Sequence, residues 1–161
     1  MILRILFLCS VSFIYTNSFC QKNENTGNIS YVSECMGVEL DGSQTLKAFG
    51  NGRNYSDACE QAKKNAVRDV LFVGIKNGSS DCNALPLIKQ QSVKFDNEDY
   101  FNSFFADGGK YSKFVNLKDE RIGDKIKRDK KKNGETRTHA LLVRVLRSEL
   151  KKQLIEDGII K

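Results

Sequence analysis

Alanine recurs every fourth residue at Ala58, Ala62 and Ala66, and Val70 continues the series. Residues four apart share one face of an α-helix, so the stripe has a purpose only if this stretch is helical. Cys59, Val67, Leu71 and Val73 widen the apolar face, and Lys63, Lys64, Asn65 and Arg68 fall opposite. The pattern predicts one long amphipathic helix laid on a sheet, with small side chains that let the helix axis approach the strands. A larger residue in the stripe should overpack it, and Ala62→Leu is expected to cost about 1–3 kcal/mol. Asn54 is the expected N-cap, Asp57 an acidic residue in the first turn, and Gly74 and Gly78 the end signals.

The flanking chain supplies the sheet. Residues 45–50 read as a strand with Leu46, Ala48 and Gly50 on one face, closed by Gly50-Asn51-Gly52. Glycine reaches positive φ, which a sharp strand-to-helix reversal often needs. A nucleotide loop is excluded, because Tyr55 stands where a third glycine belongs and no Gly-Lys-Ser/Thr follows. Upstream, residues 31–40 alternate loosely and read as another strand, with Asp41-Gly42-Ser43 as a hairpin turn.

Downstream, residues 79–94 show no period, and Cys82, Leu85, Leu87 and Ile88 are expected to pack as a loop around Pro86. Residues 96–107 carry Tyr100, Phe101, Phe104 and Phe105 at helical spacing, stopped by Gly108-Gly109. Such a stripe reads as core; if exposed, it would be a patch that grips a partner. Residues 111–117 alternate as a strand. Segments 122–132 and 135–146 flank Asn133-Gly134, a strong hairpin signal. Residues 148–157 close the chain as a short helix, with Leu150, Leu154 and Ile155 inward and Gly158 after it. The expected fold class is α+β: a small antiparallel sheet packed by one long alanine-faced helix, plus a C-terminal β-hairpin and short helix.

Residues 1–20 have the form of a secretory signal peptide. Arg4 is the positive start, residues 5–15 are an apolar run too short to span a membrane comfortably, and Ser18 and Cys20 are small residues before a cut at Gln21. Residues 21–30 are polar and read as a flexible N-terminus, leaving residues 31–161 as a single α+β domain. Lipidation of Cys20 would attach the chain to a membrane, but Asn17 and Phe19 depart from a lipobox. The formal net charge is +6, or +5 after loss of Arg4. That excess favours anionic neighbours without indicating nucleic acid.

Cys35, Cys59 and Cys82 remain after export, so at most one internal bridge forms and one thiol is left over. Their spacing fits no metal site, and the simplest reading makes two of them small buried hydrophobes. His139 is the sole histidine and stands in a strand with no serine or cysteine motif beside it. No catalytic, cofactor-binding or metal-ligating residue is therefore assigned, and no cofactor is expected. The conspicuous charge feature is the run holding Lys125, Lys127, Arg128, Lys130, Lys131 and Lys132. On a strand edge such lysines block unwanted pairing, and as a surface they would contact anionic lipid, polysaccharide or an acidic partner.

The pattern Ala48-Phe49-Gly50-x-Gly52, followed by Asp57-Ala58-x-x-Gln61-Ala62-x-x-x-Ala66-Val67, resembles the strand–helix core of a domain found in small bacterial envelope lipoproteins. It is also similar to the amino-terminal domain of a flagellar-assembly protein. The resemblance covers residues 46–75 and lies in packing and turn positions, so it transfers no functional residue. It implies an exported, non-enzymatic domain that assembles with other envelope components. The expected function is a structural or interaction module of the cell envelope, periplasmic or envelope-associated, with an envelope protein or anionic surface as partner. The alternative is a hydrolase acting on an envelope polymer, which would need His139 and an acidic partner lining one cleft.

Overall fold

A computed structural model describes residues 31–119 and 137–161. The signal segment, residues 21–30, the basic run and the Asn133-Gly134 turn lie outside the described residues. What is described is α+β, with a five-stranded sheet ordered β3-β1-β2-β5-β4. The strands are β1 (Glu34–Val38), β2 (Gln44–Gly52), β3 (Asn77–Gly78), β4 (Val115–Asp119) and β5 (Arg137–Val145). The helices are α1 (Tyr55–Arg68), α2 (Gln91–Asp96), α3 (Glu98–Phe104) and α4 (Arg147–Glu156).

The centre of the sheet is the antiparallel pair β2–β5, matched from Gln44 against Val145 to Gly52 against Arg137. Leu46, Ala48, Leu141, Val143 and Val145 form the face that joins the hydrophobic core with α1. The β1–β2 connection is the expected hairpin, with Ser43 N–H and hydroxyl both donating to Asp41 Oδ1. The sheet is not wholly antiparallel, because β3 runs parallel to β1 at the edge. It also begins later than the sequence pattern suggests. Residues 31–33 precede β1, and the register slips between Cys35 and Gly37.

The N-cap behaves as expected, with Asn54 Oδ1 accepting from Asp57 N–H at 2.8 Å. Ala58, Ala62 and Ala66 are fully buried against the sheet. The glycines before the helix act differently from the expectation. Neither Gly50 nor Gly52 has positive φ, and both belong to β2. They are needed because a Cβ on Gly50 would stand 2.0 Å from the Ala58 carbonyl oxygen, and one on Gly52 2.3 Å from the Ala58 nitrogen. The helix backbone rests on the strand at these two positions.

Past Arg68 the helix widens into a π-helical turn, Asp69–Val73, closed by Gly74 N–H on Asp69 C=O at 2.7 Å. Gly74 has φ +84°, and Val73 points outward, 40 % exposed. The last helical carbonyls do not go unpaired: Val70 and Leu71 accept from the N–H groups of Leu87 and Ile88. This gives the segment around Pro86 its place.

The aromatic segment is helical as expected, in α3, but residues 91–94 are not a loop: they begin α2, which is separated from α3 at Asn97, whose side-chain amide donates back to Val93 C=O. Residues 111–114 are not a strand either. Lys110–Phe114 is a 3₁₀ helix, and β4 starts only at Val115. Tyr111 and Phe114, three apart, are both buried, which suits a three-residue turn and defeats alternation. In α4, Leu150 and Leu154 face the core, but Ile155 is 46 % exposed.

Candidate functional site

His139 lies opposite Gly50 in the β2–β5 register, near the first turn of α1. Its ring meets Tyr55 edge to face, with centroids 5.3 Å apart. Among the described residues no carboxylate forms an ion pair with it. The same end of the fold holds a hydrogen bond between Thr138 and Asn51 that crosses from β5 to β2.

Beside it lies an open depression of about 510 Å³, whose walls include Asn51, Arg53, Asp57, Glu60, Lys64 and Asp107. Its charges are already engaged. Arg53 Nε lies 3.8 Å from Asp57, and Lys64 Nζ lies 2.7 Å from Asp107. Glu60 accepts from Lys63 Nζ at 2.7 Å and from the Tyr111 hydroxyl at 2.9 Å. The Lys63 hydrogen bond holds the Glu60 carboxyl below its usual range, and burial, helped by Glu60, pushes Tyr111 up to about 12. At neutral pH the phenol is a fixed donor and the carboxylate a fixed acceptor. This arrangement orients polar contacts and is poorly suited to proton transfer.

On the sheet face away from α1, long side chains form a second polar array. Lys118 is paired with Glu39, which also accepts from Thr45 Oγ1 at 3.0 Å. Arg144 reaches Asp41 at 2.6 Å and donates to Ser43 Oγ. Lys47 lies 3.9 Å from Glu34 and over the Phe49 ring, which stacks against Tyr31. Lys118 holds Glu39, and Ser43 holds Asp41, below the ordinary carboxylate range. An antiparallel sheet with one wet face is an ordinary arrangement, and these pairs cover it with self-neutralised charge.

The four aromatics do not form one exposed patch. Phe101 and Phe104 are 5 % and 1 % exposed, and Tyr100 and Phe105 are half-buried against the same core. Phe101 meets Phe72, Phe104 stacks over Phe114, and Phe105 stacks over Tyr111. Tyr100 is committed as well: its hydroxyl donates to Asp157 at 2.7 Å, beside Lys110. The stripe therefore belongs to the core. The apolar side chains that do stand out are elsewhere, among them Met36, Val38, Leu40, Leu85 and Phe95.

Two features escape the sequence reading. Asp69, 1 % exposed, accepts on one oxygen from both the Ser33 N–H at 2.9 Å and the Ser33 hydroxyl at 2.8 Å, with Arg68 3.7 Å from the other. The only signal was a carboxylate set among apolar helix residues. The second is the cysteine pairing. Cys35 and Cys82 form a disulfide with Cα atoms 5.9 Å apart, and Cys59 is a buried free thiol. All three are buried, as small hydrophobes would be, but two of them are bonded. Among the described residues no cluster of three metal-capable side chains converges, and no helix is long and apolar enough to cross a membrane. No family model matches the chain, and the comparisons with curated proteins and with solved structures find no match to it.

Proposed function

We propose that this chain is an exported, non-enzymatic module of the cell envelope that acts by contact. The observation that carries the reading is the Cys35–Cys82 bridge. Protein disulfides form and persist in oxidising compartments and are rare where thiol buffers prevail. A bridge in the folded domain is consistent with the signal-like residues 1–20 and with the resemblance of residues 46–75 to envelope domains. The engagement of His139 with Tyr55, and of Glu60 with Lys63 and Tyr111, supports a binding role over a hydrolytic one.

In this reading the basic run of residues 125–132 makes the contact. Lys125, Lys127, Arg128, Lys130, Lys131 and Lys132 are its contact surface for an anionic envelope component. Charge reversal at Lys130, Lys131 and Lys132 is expected to release the protein from the envelope fraction.

The deciding experiment is the intact mass of native protein recovered from fractionated cells, with and without thiol alkylation. The expected species begins at Gln21, is lighter by the two hydrogens of one bridge, and is alkylated at Cys59 only after unfolding. An uncut chain from the cytosol with three reactive thiols would overturn the reading.

A further inference from the structure

The segment between α1 and α2 is held unevenly. From residue 76 to residue 87, Cys82 is the one buried side chain, and residues 76–81 and 83–85 are all exposed. At the near end Asn77 and Gly78 pair with β1, and Ser79 N–H donates to Cys35 C=O at 2.9 Å. At the far end Leu87 and Ile88 bond to the carbonyls of Val70 and Leu71, and Ile88 is buried. Between these ends the ties are the Cys35–Cys82 bridge, one bond from Arg147 Nη2 to Leu85 C=O, and the Ala84 carbonyl resting on Gly74, which lacks a Cβ there.

What this middle part covers is the outer edge of β1. β3 reaches only Glu34 and Cys35. Beyond them, Cys82 Sγ sits 3.6 Å from the Gly37 carbonyl oxygen. A disulfide sulfur has no hydrogen to donate, so it shields that carbonyl without satisfying it. Along and just past this edge Met36, Val38 and Leu40 are 53 %, 43 % and 111 % exposed. An uncovered edge with apolar side chains is the kind that sheets normally protect.

We propose that residues 76–86 are a redox-sensitive strap: reduction of the Cys35–Cys82 bridge by a dithiol lifts the strap from β1 and opens that strand's edge, with the rest of the domain still folded. A thiolate of the dithiol attacks Sγ of Cys82, the less deeply buried of the two residues, forming a mixed disulfide and releasing Cys35 as a thiolate that takes up a proton. The second thiol of the dithiol then displaces Cys82, leaving two cysteine thiols and the oxidised, cyclic dithiol. The hydrogen bonds of Leu87 and Ile88 to Val70 and Leu71, in the π-helical turn after α1, act as the hinge, so opening stays local.

The test compares the purified full chain, oxidised and after treatment with dithiothreitol and alkylation, by hydrogen exchange and by limited trypsin cleavage at Lys76 in the strap. A Cys35→Ser/Cys82→Ser variant gives the same comparison without a reagent that must reach a buried bridge. Exchange at residues 35–38 and cleavage at Lys76 are expected to speed up by about tenfold or more, with β2, α1 and β5 unchanged. Unchanged exchange and cleavage in the double variant would mean that other contacts hold the strap. Acceleration across β2, α1 and β5 as well, or a variant that does not fold, would mean that the bridge holds the whole domain. Either result overturns the proposal.

Discussion

Gly50→Ala adds a single methyl group where α1 crosses β2. That carbon would stand 2.0 Å from the Ala58 carbonyl oxygen, 2.5 Å from the Ala62 nitrogen and 3.0 Å from the Ala62 Cα. All three are atoms of the helix main chain, so no side chain can swing aside. Comfortable contact needs about 3.5 Å, so the helix must lift by about 1.5 Å. A gap of even about 0.5–1 Å forfeits a quarter to a half of a contact's attraction. The loss falls on Ala58, Ala62, Ala66 and Val67, all fully buried. Overpacking commonly costs about 1–3 kcal/mol and more where backbone must move, so a loss of about 3 kcal/mol or more is expected. That is a large share of a total stability of about 5–15 kcal/mol. At about 2–4 °C per kcal/mol, the melting midpoint should fall by about 6–12 °C. The assay is urea and thermal unfolding followed by circular dichroism, with Gly108→Ala as the comparison. Gly108 has φ +71°, and a Cβ there would meet nothing within 4 Å, so only the left-handed backbone is penalised, by about 1 kcal/mol. If Gly50→Ala lost no more than Gly108→Ala, the helix backbone does not rest on this glycine.

Ala62→Leu should destabilise by about 1–3 kcal/mol in the same assay, because Ala62 is fully buried against the strand; a neutral result would mean that the face can repack. Asp69→Asn keeps the shape but removes the charge that takes both Ser33 hydrogen bonds, a loss of about 1.5–3 kcal/mol by urea unfolding. Tyr111 should make the domain alkali-sensitive. Its acid form persists to about 12 in the folded state but only to about 10 when unfolded. The unfolded chain therefore binds fewer protons above that point, and stability is full below about pH 10 and falls as pH rises toward the folded value. Tyr111→Phe should flatten that part of the pH–stability curve, and an unchanged slope would refute the assignment.

What the sequence made legible was local. The Asn54 cap, the Asp41–Ser43 turn and the buried face of α1 follow from residues within a few positions of one another. The unreadable parts depend on partners far along the chain. Tyr111 and Phe114 fit alternation or a tight turn equally until the core claims both. The strap has no period because a bond to Cys35, 47 residues away, places it. Gly50 announced itself as unusual, but its reason was the helix lying above it. For function the sequence marked a basic run, which lies outside the described residues, and an aromatic stripe, which the core absorbs. Glu60 and Lys63 lie three apart within α1, but the Tyr111 hydroxyl on Glu60 and the pairs on the wet face of the sheet gave no pattern, since those partners come from separate elements.

The pairing of β2 with β5 also sets the order in which this chain can assemble. Gln44 meets Val145, and the strand that completes the centre of the sheet is the last one in the sequence. A nascent chain that has not yet reached β5 has β1, β2 and α1 but nothing for the far side of β2 to bind. Such long-range pairing closes slowly, because the loop must be ordered before its contacts repay it. The centre of the sheet therefore closes only once β5 is made, and a chain cut before Arg137 would leave one side of β2 without its partner.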